Sequence, residues 1–275
     1  MNARPDPAML QRQVTVPAVE ILSAEKVFDS GVRGLDPIAL TIEPGEFVSL
    51  LGPSGCGKST LLKLIARLYE PSDGRILWWR GGFDRVGEAG RRLAFVFQEP
   101  TLVPWARVAA NVRLPLDLAG VPRQEAEARV RAALTQVDLG SRADALPRHL
   151  AGGMRMRVSI ARALVTEPDL LLMDEPFGAL DEFTRNRLDE DLLALSCARR
   201  LTTIFVTHSI YEAVFLSTRV VVMAAQPGRI FAEYLVDEPQ PRGEEFRLSD
   251  RFAVHCRALS GLLHQASLAS RGDTP

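Results

Sequence analysis

Short apolar runs alternate with amphipathic segments along most of this chain. Runs of a length suited to buried strands lie at 46–51, 92–97, 170–173, 202–206 and 220–224. Helical patterns lie between them, most clearly at 124–137, 182–198 and 209–216. Because strands that alternate with helices form parallel sheets, the pattern predicts an α/β fold with a mostly parallel sheet.

Other segments divide the chain further. Residues 1–18 are polar and interrupted by proline, which predicts a flexible N-terminal arm. Short β-like runs between 19 and 48, separated by glycine and proline, predict a small antiparallel layer. We expect one domain over 19–240, with a helical subdomain at about 98–165. An amphipathic pattern at 246–267 predicts a helix in a C-terminal extension, 241–275; packing on its own domain is favoured over a regulatory role.

A glycine-rich turn follows the first predicted core strand and precedes an apolar-periodic helix. It reads Gly52-Pro53-Ser54-Gly55-Cys56-Gly57-Lys58-Ser59-Thr60. Its glycines let successive backbone N–H groups point at phosphate oxygens, and the helix N-terminus adds partial positive charge. Lys58 would then reach the β- and γ-phosphates and the Ser59 hydroxyl would bind Mg²⁺. The flanking strand and helix make a chance turn a poor explanation, so the sequence predicts ATP or GTP binding.

Composition limits the kind of partner. The 33 basic and 34 acidic side chains give a net charge of −1, without the basic surface that nucleic-acid binding demands. Three scattered cysteines lack metal-ligand spacing and favour a reducing compartment. The sequence has no signal-peptide core and no apolar run near the ~20 residues of a membrane span. We therefore expect a cytoplasmic protein that contacts a membrane only through a partner.

Two carboxylates follow the apolar run at 170–173. A strand ending beside the phosphate loop would place Asp174 near Mg²⁺, and Glu175 would be suited to polarise the attacking water as general base. An Asp-Glu pair after an apolar run is common by itself. Downstream of a complete phosphate loop it is specific, and it predicts nucleotide hydrolysis.

A second glycine-rich helix start lies between these motifs, at Ala151-Gly152-Gly153. One nucleotide does not need two anion-binding helix ends from one chain, but two chains facing each other head to tail would use both. With the run that follows, Arg157-Val158-Ser159-Ile160-Ala161-Arg162-Ala163-Leu164, this segment resembles the Leu-Ser-Gly-Gly-Gln signature of the ATP-binding cassette (ABC) ATPases.

That resemblance covers roughly residues 20–236. It implies a P-loop NTPase (RecA-like) core with an antiparallel β subdomain and a helical subdomain. It also implies that Gln98 contacts Mg²⁺ and water and couples to a membrane subunit. Asp181 would cross a dimer interface, and His208 would contact the γ-phosphate. Phe28 lies where the family places the aromatic side chain that stacks on adenine; a core phenylalanine is the alternative.

Two positions depart from the family pattern. Ala151 replaces the signature serine, so the hydroxyl that would bond the partner's γ-phosphate is missing. Losing a hydrogen bond to a charged group costs about 1.5–3 kcal/mol, so we expect reduced but not abolished activity. Met154 replaces the signature glutamine, which resembles one importer subfamily.

The segment Pro104-Trp105 resembles the nitrate/sulfonate/taurine importer subfamily; an ordinary turn with a buried tryptophan is the alternative. The resemblance implies an ATP-hydrolysing homodimer on the cytoplasmic face of the inner membrane. Its partners would be permease subunits and, indirectly, a periplasmic or lipid-anchored substrate-binding protein. An ABC exporter ATPase and a soluble non-transport ABC ATPase remain alternatives, and the solute cannot be read because this chain would not touch it.

Overall fold

The computed structural model describes residues 16–82 and 90–272, which form two sheets flanked by helices. The smaller sheet is antiparallel, in the order β2-β1-β4. Its strands are β1 (Val19–Val27), β2 (Arg33–Ile42) and β4 (Asp73–Trp78). The predicted antiparallel layer is therefore present. Its third strand lies outside the predicted range, because the first half of β4 is polar and exposed.

The central sheet has six strands in the order β5-β6-β7-β3-β8-β9. All neighbouring pairs are parallel except β8 with the edge strand β9. Its strands are β3 (Phe47–Leu51), β5 (Leu93–Val96), β6 (Leu170–Asp174), β7 (Thr202–Thr207), β8 (Arg219–Ala224) and β9 (Arg229–Leu235). The sequence predicted all of these except β9, whose residues are mostly half-buried and whose apolar run is only three residues long.

The central strands are apolar on both faces because each face has its own core. Val48 and Leu50 of β3 pack toward the antiparallel sheet, whereas Phe47 and Leu51 pack toward the helices. Such strands read as continuous apolar runs rather than as alternating ones. This explains why the core strands could be located from the sequence.

Eight α-helices are found among the described residues. They are α1 (Lys58–Ile65), α2 (Val108–Leu118), α3 (Arg123–Gln136), α4 (Gly152–Leu164), α5 (Glu182–Arg199), α6 (Ile210–Leu216), α7 (Glu244–Arg247) and α8 (Asp250–Gly272). Helices α2, α3 and α4 pack on one another and form the helical part of the molecule. No described helix is both long and apolar enough to cross a membrane.

The C-terminal segment contains two helices where the sequence predicted one. Helix α7 ends before Ser249, whose hydroxyl accepts a hydrogen bond from the Phe252 amide in the first turn of α8. Helix α8 packs on α6 and β8. Arg242 fastens this segment, since its buried guanidinium donates hydrogen bonds to the carbonyls of Val214, Phe215 and Ser217 at the end of α6. Burial lowers the pKa of Arg242 to about 10, so it remains a cation at neutral pH.

The predicted N-terminal arm lies mostly outside the described residues, which begin at Val16. The division into arm, domain and extension stays a prediction.

Candidate active site

The candidate site lies where parallel strands end at the same edge of the central sheet. The loop after β3 contains the glycine-rich turn, β6 ends at Asp174, and β7 is followed by His208. Strand β5 pairs with β6 so that Val96 lies opposite Met173, which places the start of the Gln98 loop at this edge as well. The topology therefore brings together motifs that are more than 150 residues apart in the chain.

The phosphate loop (residues 52–60) has the geometry that its glycines predict. Gly57 has φ +88°, and a Cβ atom there would lie 2.4 Å from Leu35 Cδ2 and 3.1 Å from the Gly34 carbonyl oxygen, so any other residue would be strained. Helix α1 begins at the next residue, Lys58. The buried Lys58 ammonium donates hydrogen bonds to the carbonyls of Gly52, at 2.8 Å, and Pro53, at 3.0 Å. The loop thus holds a cation and a helix N-terminus at one point, which is an anion-binding arrangement.

Ser59 and Asp174 form a hard-oxygen pair beside this loop. The Ser59 hydroxyl donates to Asp174 Oδ1 at 2.7 Å. Burial raises the pKa of Asp174, while the Ser59 hydrogen bond and the nearby lysines oppose the shift. A hydroxyl and a carboxylate at this distance fit the oxygen donor set that Mg²⁺ prefers. The two residues predicted as metal ligands from separate motifs are therefore neighbours.

Glu175 and His208 form a second pair at the same edge. Glu175 Oε2 lies 3.4 Å from His208 Nδ1. Glu175 has φ +45°, which is rare for a residue with a side chain, and its amide donates to the Val206 carbonyl at 3.0 Å. A strained backbone held by its surroundings is typical of functional sites. This hydrogen bond holds the Glu175 backbone next to β7, the strand that precedes His208.

An open cleft of about 440 Å³ lies over the phosphate loop, and Phe28 and Glu175 both line it. Phe28 packs edge-on against Tyr69, with ring centroids 6.1 Å apart. Gly34 lies under the Phe28 ring, because a Cβ atom at Gly34 would come within 2.6 Å of Phe28 Cε2. Phe28 is therefore not a core residue but an aromatic wall of the cleft.

Gln98 lines a different depression, which we call the Gln98 groove. This groove of about 610 Å³ also contains Pro104, Gly152 and Leu180. Arg162 of α4 joins its two sides by donating to the carbonyls of Pro100 and Thr101, each at 2.9 Å. Gln98 lies two residues after Val96, the end of β5, which pairs with Met173 next to Asp174. Among the described residues, no hydrogen bond joins Gln98 to Ser59 or Asp174. Its role as a metal contact stays a prediction.

The signature loop (residues 150–154) does not line the cleft over its own phosphate loop. Ala151 is the exposed N-cap residue of α4, and its methyl group cannot accept a hydrogen bond from the first helical amides. A Cβ atom at Gly153 would lie 2.7 Å from Thr184 Cγ2, so this loop packs closely on the start of α5.

Asp181 caps that helix. Its carboxylate accepts a hydrogen bond from the Thr184 amide at 3.0 Å, and this bond lowers the pKa of Asp181. Asp181 and the signature loop therefore lie on one side of the molecule.

Sequence reasoning missed several residues that support the site. Arg162 belongs to the signature segment, but that motif does not predict its hydrogen bond to the Pro100 carbonyl, 62 positions away. Arg185 donates to the Leu180 carbonyl and belongs to no motif. Sequence reasoning also missed Gln226, Pro227 and Gly228, which line the cleft. In this case a local signal was present, because a Pro-Gly dipeptide is typical of a turn and it follows a predicted strand. That signal could have placed it at the sheet edge.

Comparison with known proteins shows which family the chain belongs to. The ABC transporter family model matches residues 35–178. A taurine import ATP-binding protein from Rhizobium johnstonii is 44% identical over 239 residues, covering 85% of this chain and 90% of that protein. An aliphatic sulfonates import ATP-binding protein from Bacillus cereus is 42% identical over 213 residues, covering 78% and 82%.

The fold also resembles solved ATP-binding cassettes. One of them, a dimer in a post-hydrolysis state with ADP and phosphate, aligns with a TM-score of 0.69 at 30% identity, covering 80% of this chain and 100% of that one. The chain therefore belongs to the ABC transporter ATPase family, and it is an ATPase with the P-loop fold. The predicted family, fold class and enzyme class are confirmed.

The position of Glu175 gives a first prediction. Glu175→Gln keeps the shape of the side chain but removes the base, so we expect turnover to fall by about 10²–10⁴-fold. ATP binding should persist, because the phosphate loop is untouched. Steady-state ATPase rates and equilibrium binding of a fluorescent ATP analogue measure the two effects. Turnover close to that of the unmodified protein would remove Glu175 from this role.

Proposed function

We propose that this chain is the ATP-hydrolysing subunit of an ABC importer of the nitrate, sulfonate or taurine type. The principal support is the combination of an ATPase site with an exposed Pro104-Trp105 segment beside the Gln98 groove. Relatives named as taurine and aliphatic sulfonate import ATP-binding proteins support the same class. The chain itself would supply energy and would not select the solute.

The proposed working unit is a homodimer with two composite sites. Within one chain the signature loop lies away from the phosphate-loop cleft, although α4 presents a helix N-terminus that no side chain caps. A second copy, placed head to tail, would bring Ala151, Gly152 and Gly153 to the γ-phosphate bound by its partner. A related cassette forms a dimer with ADP and phosphate, which supports this arrangement.

The geometry of the candidate site supports the following roles. ATP would stack on Phe28 and lie with its phosphates in the loop of residues 52–60, against Lys58. Ser59 and Asp174, with Gln98, would hold Mg²⁺, which would neutralise charge on the β- and γ-phosphates when bound. Glu175 would accept a proton from the attacking water, and His208 would orient Glu175 and contact the γ-phosphate. Asp181, at the start of α5, would lie at the dimer interface.

The proposed permease contact uses the segment between β5 and α2. Trp105 is 82% exposed, so it is not the buried tryptophan of the alternative interpretation. The buried Asn111 fixes this segment by accepting from the Val103 amide at 2.7 Å and donating to the Ala106 carbonyl at 2.9 Å. A rigid segment with an exposed indole, next to Gln98, suits a docking surface that senses the nucleotide site. The subunit would then lie on the cytoplasmic face of the membrane, and a substrate-binding protein would act only through the permease.

Two experiments separate this function from the alternatives. Co-purification of the tagged chain with membrane permease subunits would exclude a soluble non-transport ABC ATPase. The direction of solute movement in proteoliposomes, tested with nitrate, taurine and alkanesulfonates, would separate an importer from an exporter. Efflux, or recovery with no membrane protein, would contradict the proposal.

Trp105 gives a prediction for the docking surface. Trp105→Ala removes a large exposed side chain that contributes to contact area, so we expect weaker assembly with the permease. Nucleotide affinity of the isolated subunit should stay nearly unchanged, because Trp105 does not line the nucleotide cleft. The measurements are the yield of the detergent-purified complex and ATP affinity. Loss of nucleotide binding would show that Trp105 serves the fold instead.

Ala151 gives a prediction for the composite site. Ala151→Ser adds one donor that would face a charged phosphate, worth at most ~1.5–3 kcal/mol before the hydroxyl is desolvated. We expect tighter ATP-driven dimerisation and a permease-coupled ATPase that is faster by several-fold. Both gains should vanish in an Ala151→Ser/Lys58→Ala double variant. The measurement is ATPase rate against ATP concentration for the assembled transporter.

A serine at 151 would also cap α4, which stabilises a helix by ~0.5–2 kcal/mol. A higher melting temperature with an unchanged or slower rate would therefore mean that residue 151 acts only on its own helix and does not face the γ-phosphate.

A further inference from the structure

One wall of the cleft over the phosphate loop has no role in the function proposed above. This wall is the turn of residues 226–228, between β8 and β9, and it lines the cleft together with Phe28. Two backbone hydrogen bonds fix it to β2: the Gly228 amide donates to the Gly34 carbonyl at 3.2 Å, and the Asp36 amide donates to the Gly228 carbonyl at 2.9 Å. Because Gly34 lies under the Phe28 ring, the turn lies directly beside the aromatic wall.

The same turn also contacts the phosphate loop. A Cβ atom at Gly228 would lie 2.4 Å from the Cys56 carbonyl oxygen and 2.8 Å from the Gly34 carbonyl oxygen, so the backbone touches both parts of the cleft. In a nucleotide the ribose connects the base to the phosphates. A nucleotide with its base on Phe28 and its phosphates in the loop would therefore have its ribose next to the turn of residues 226–228.

The end of helix α8 anchors this turn on both flanks. The Ala225 amide donates to the Ser270 hydroxyl at 2.9 Å, and Arg229 Nη2 donates to the Ala269 carbonyl at 3.3 Å. Between these anchors, Gln226 has φ +60°, a conformation that glycine adopts without strain and that residues with a side chain rarely adopt. A side chain held in such a conformation within a ligand cleft indicates a functional role for that side chain.

Gln226 is also the polar side chain of this cleft that has no other task. Outside the phosphate loop, the polar side chains that line the cleft are those of Arg33, Glu175 and Gln226. Glu175 is paired with His208, and Arg33 Nη1 donates to Glu25 Oε2 at 2.7 Å. The Gln226 side chain is exposed, and no hydrogen bond joins it to another residue that the structure describes. Its amide is therefore available to a ligand.

We propose that Gln226 is a specificity-determining residue whose side-chain amide hydrogen-bonds the ribose hydroxyls of the bound nucleotide. This role rests on the proposed function, which places ATP in this cleft with its base on Phe28. The amide carbonyl accepts a hydrogen bond from a hydroxyl, and the amide NH₂ group donates to a hydroxyl oxygen, so one side chain suits a ribose diol. A few placed polar groups of this kind fix the orientation of a ligand in its pocket. The site would then distinguish a ribonucleotide from a nucleotide without these hydroxyls.

The test compares the affinity of the purified full-length chain for ADP and for 2′,3′-dideoxy-ADP, measured by isothermal titration calorimetry. ADP is not consumed during the measurement, and it lacks the γ-phosphate that the signature loop of a second copy would contact. The result therefore does not depend on dimerisation or on turnover. We expect the unmodified chain to bind ADP about 2- to 10-fold more tightly than dideoxy-ADP, which corresponds to one neutral hydrogen bond.

The decisive variant is Gln226→Met, which keeps an unbranched side chain of similar length and removes the amide. It should bind ADP more weakly than the unmodified chain, by the same roughly 2- to 10-fold, and should bind dideoxy-ADP with unchanged affinity. Any effect of the altered sugar conformation is present in both proteins, so it cancels in the four-way comparison.

Two further variants serve as controls. Gln124→Met makes the same substitution at an exposed glutamine of α3, outside the cleft, and should leave both affinities unchanged. Lys58→Ala removes the cation of the phosphate loop and should weaken the binding of both nucleotides by the same factor.

These variants separate the failure of this role from the failure of the proposed function. If Lys58→Ala binds ADP as tightly as the unmodified chain, the nucleotide does not lie in this cleft, and both are wrong. If Lys58→Ala weakens binding but Gln226→Met does not, only the role of Gln226 is wrong. An equal loss for ADP and dideoxy-ADP in Gln226→Met would also overturn it, because the amide would then contact another part of the nucleotide. So would an equal loss of ADP affinity in Gln124→Met.

Discussion

The parallel register of the central sheet is the constraint on which the rest of the structure depends. Strands β3, β6 and β7 must end at one level for Ser59 to reach Asp174 at 2.7 Å and for Glu175 to lie 3.4 Å from His208. That level is maintained because the strands are buried on both faces, where a slip by one residue would exchange the side chains of the two cores. The geometry of the candidate site is therefore a consequence of hydrophobic packing, and the polar contacts only complete it.

Arginine side chains connect the loops at this edge to the elements that surround it. Arg162 links α4 to the loop after Gln98, Arg185 links α5 to the loop before Asp181, and Arg242 links the C-terminal segment to the end of α6. Each donates to backbone carbonyls, which are strong acceptors that must be satisfied when buried. A planar group with five donors suits this task, because one side chain can fix several carbonyls at once. Each of these arginines therefore ties one loop or helix end to a neighbouring element.

The parts of the fold that the sequence predicted are those encoded by contiguous residues. The phosphate loop needs a strand, glycines and a helix in immediate succession. All three lie within residues 46–65, so this segment could be predicted from its local sequence. The buried runs of β6, β7 and β8 were equally clear, because a strand covered on both faces is apolar at every position. Strand β4 escaped prediction because it pairs with β1, which is distant in the chain. Strand β9 escaped prediction because it is an edge strand whose residues are mostly half-buried.

The same distinction applies to the site. Each motif marked its own residues, and the sheet then brought Ser59 and Asp174 together although they are 115 positions apart. The hydrogen bond between Arg247 of α7 and Asp189 of α5 could not be predicted, because 58 residues separate the pair and neither belongs to a motif. From the sequence, an arginine on an amphipathic helix is expected to lie in solvent. Only the packing of the C-terminal segment on α5 shows that the Arg247 side chain is largely buried.

The central claim is that the active site is composite, with the phosphate loop of one copy facing the signature loop of another. Complementation between two inactive variants tests it most directly. Lys58→Ala disables the phosphate loop, and Gly152→Asp places a negative charge at the N-terminus of α4, where a side chain has space because the nearest atom, Leu180 Cδ2, would be 3.7 Å away. In an equimolar mixture of the two purified variants, half of the dimers carry one intact composite site. The account predicts that mixing restores ATPase activity, up to about a quarter of the unmodified rate. A mixture no more active than either variant alone would contradict it.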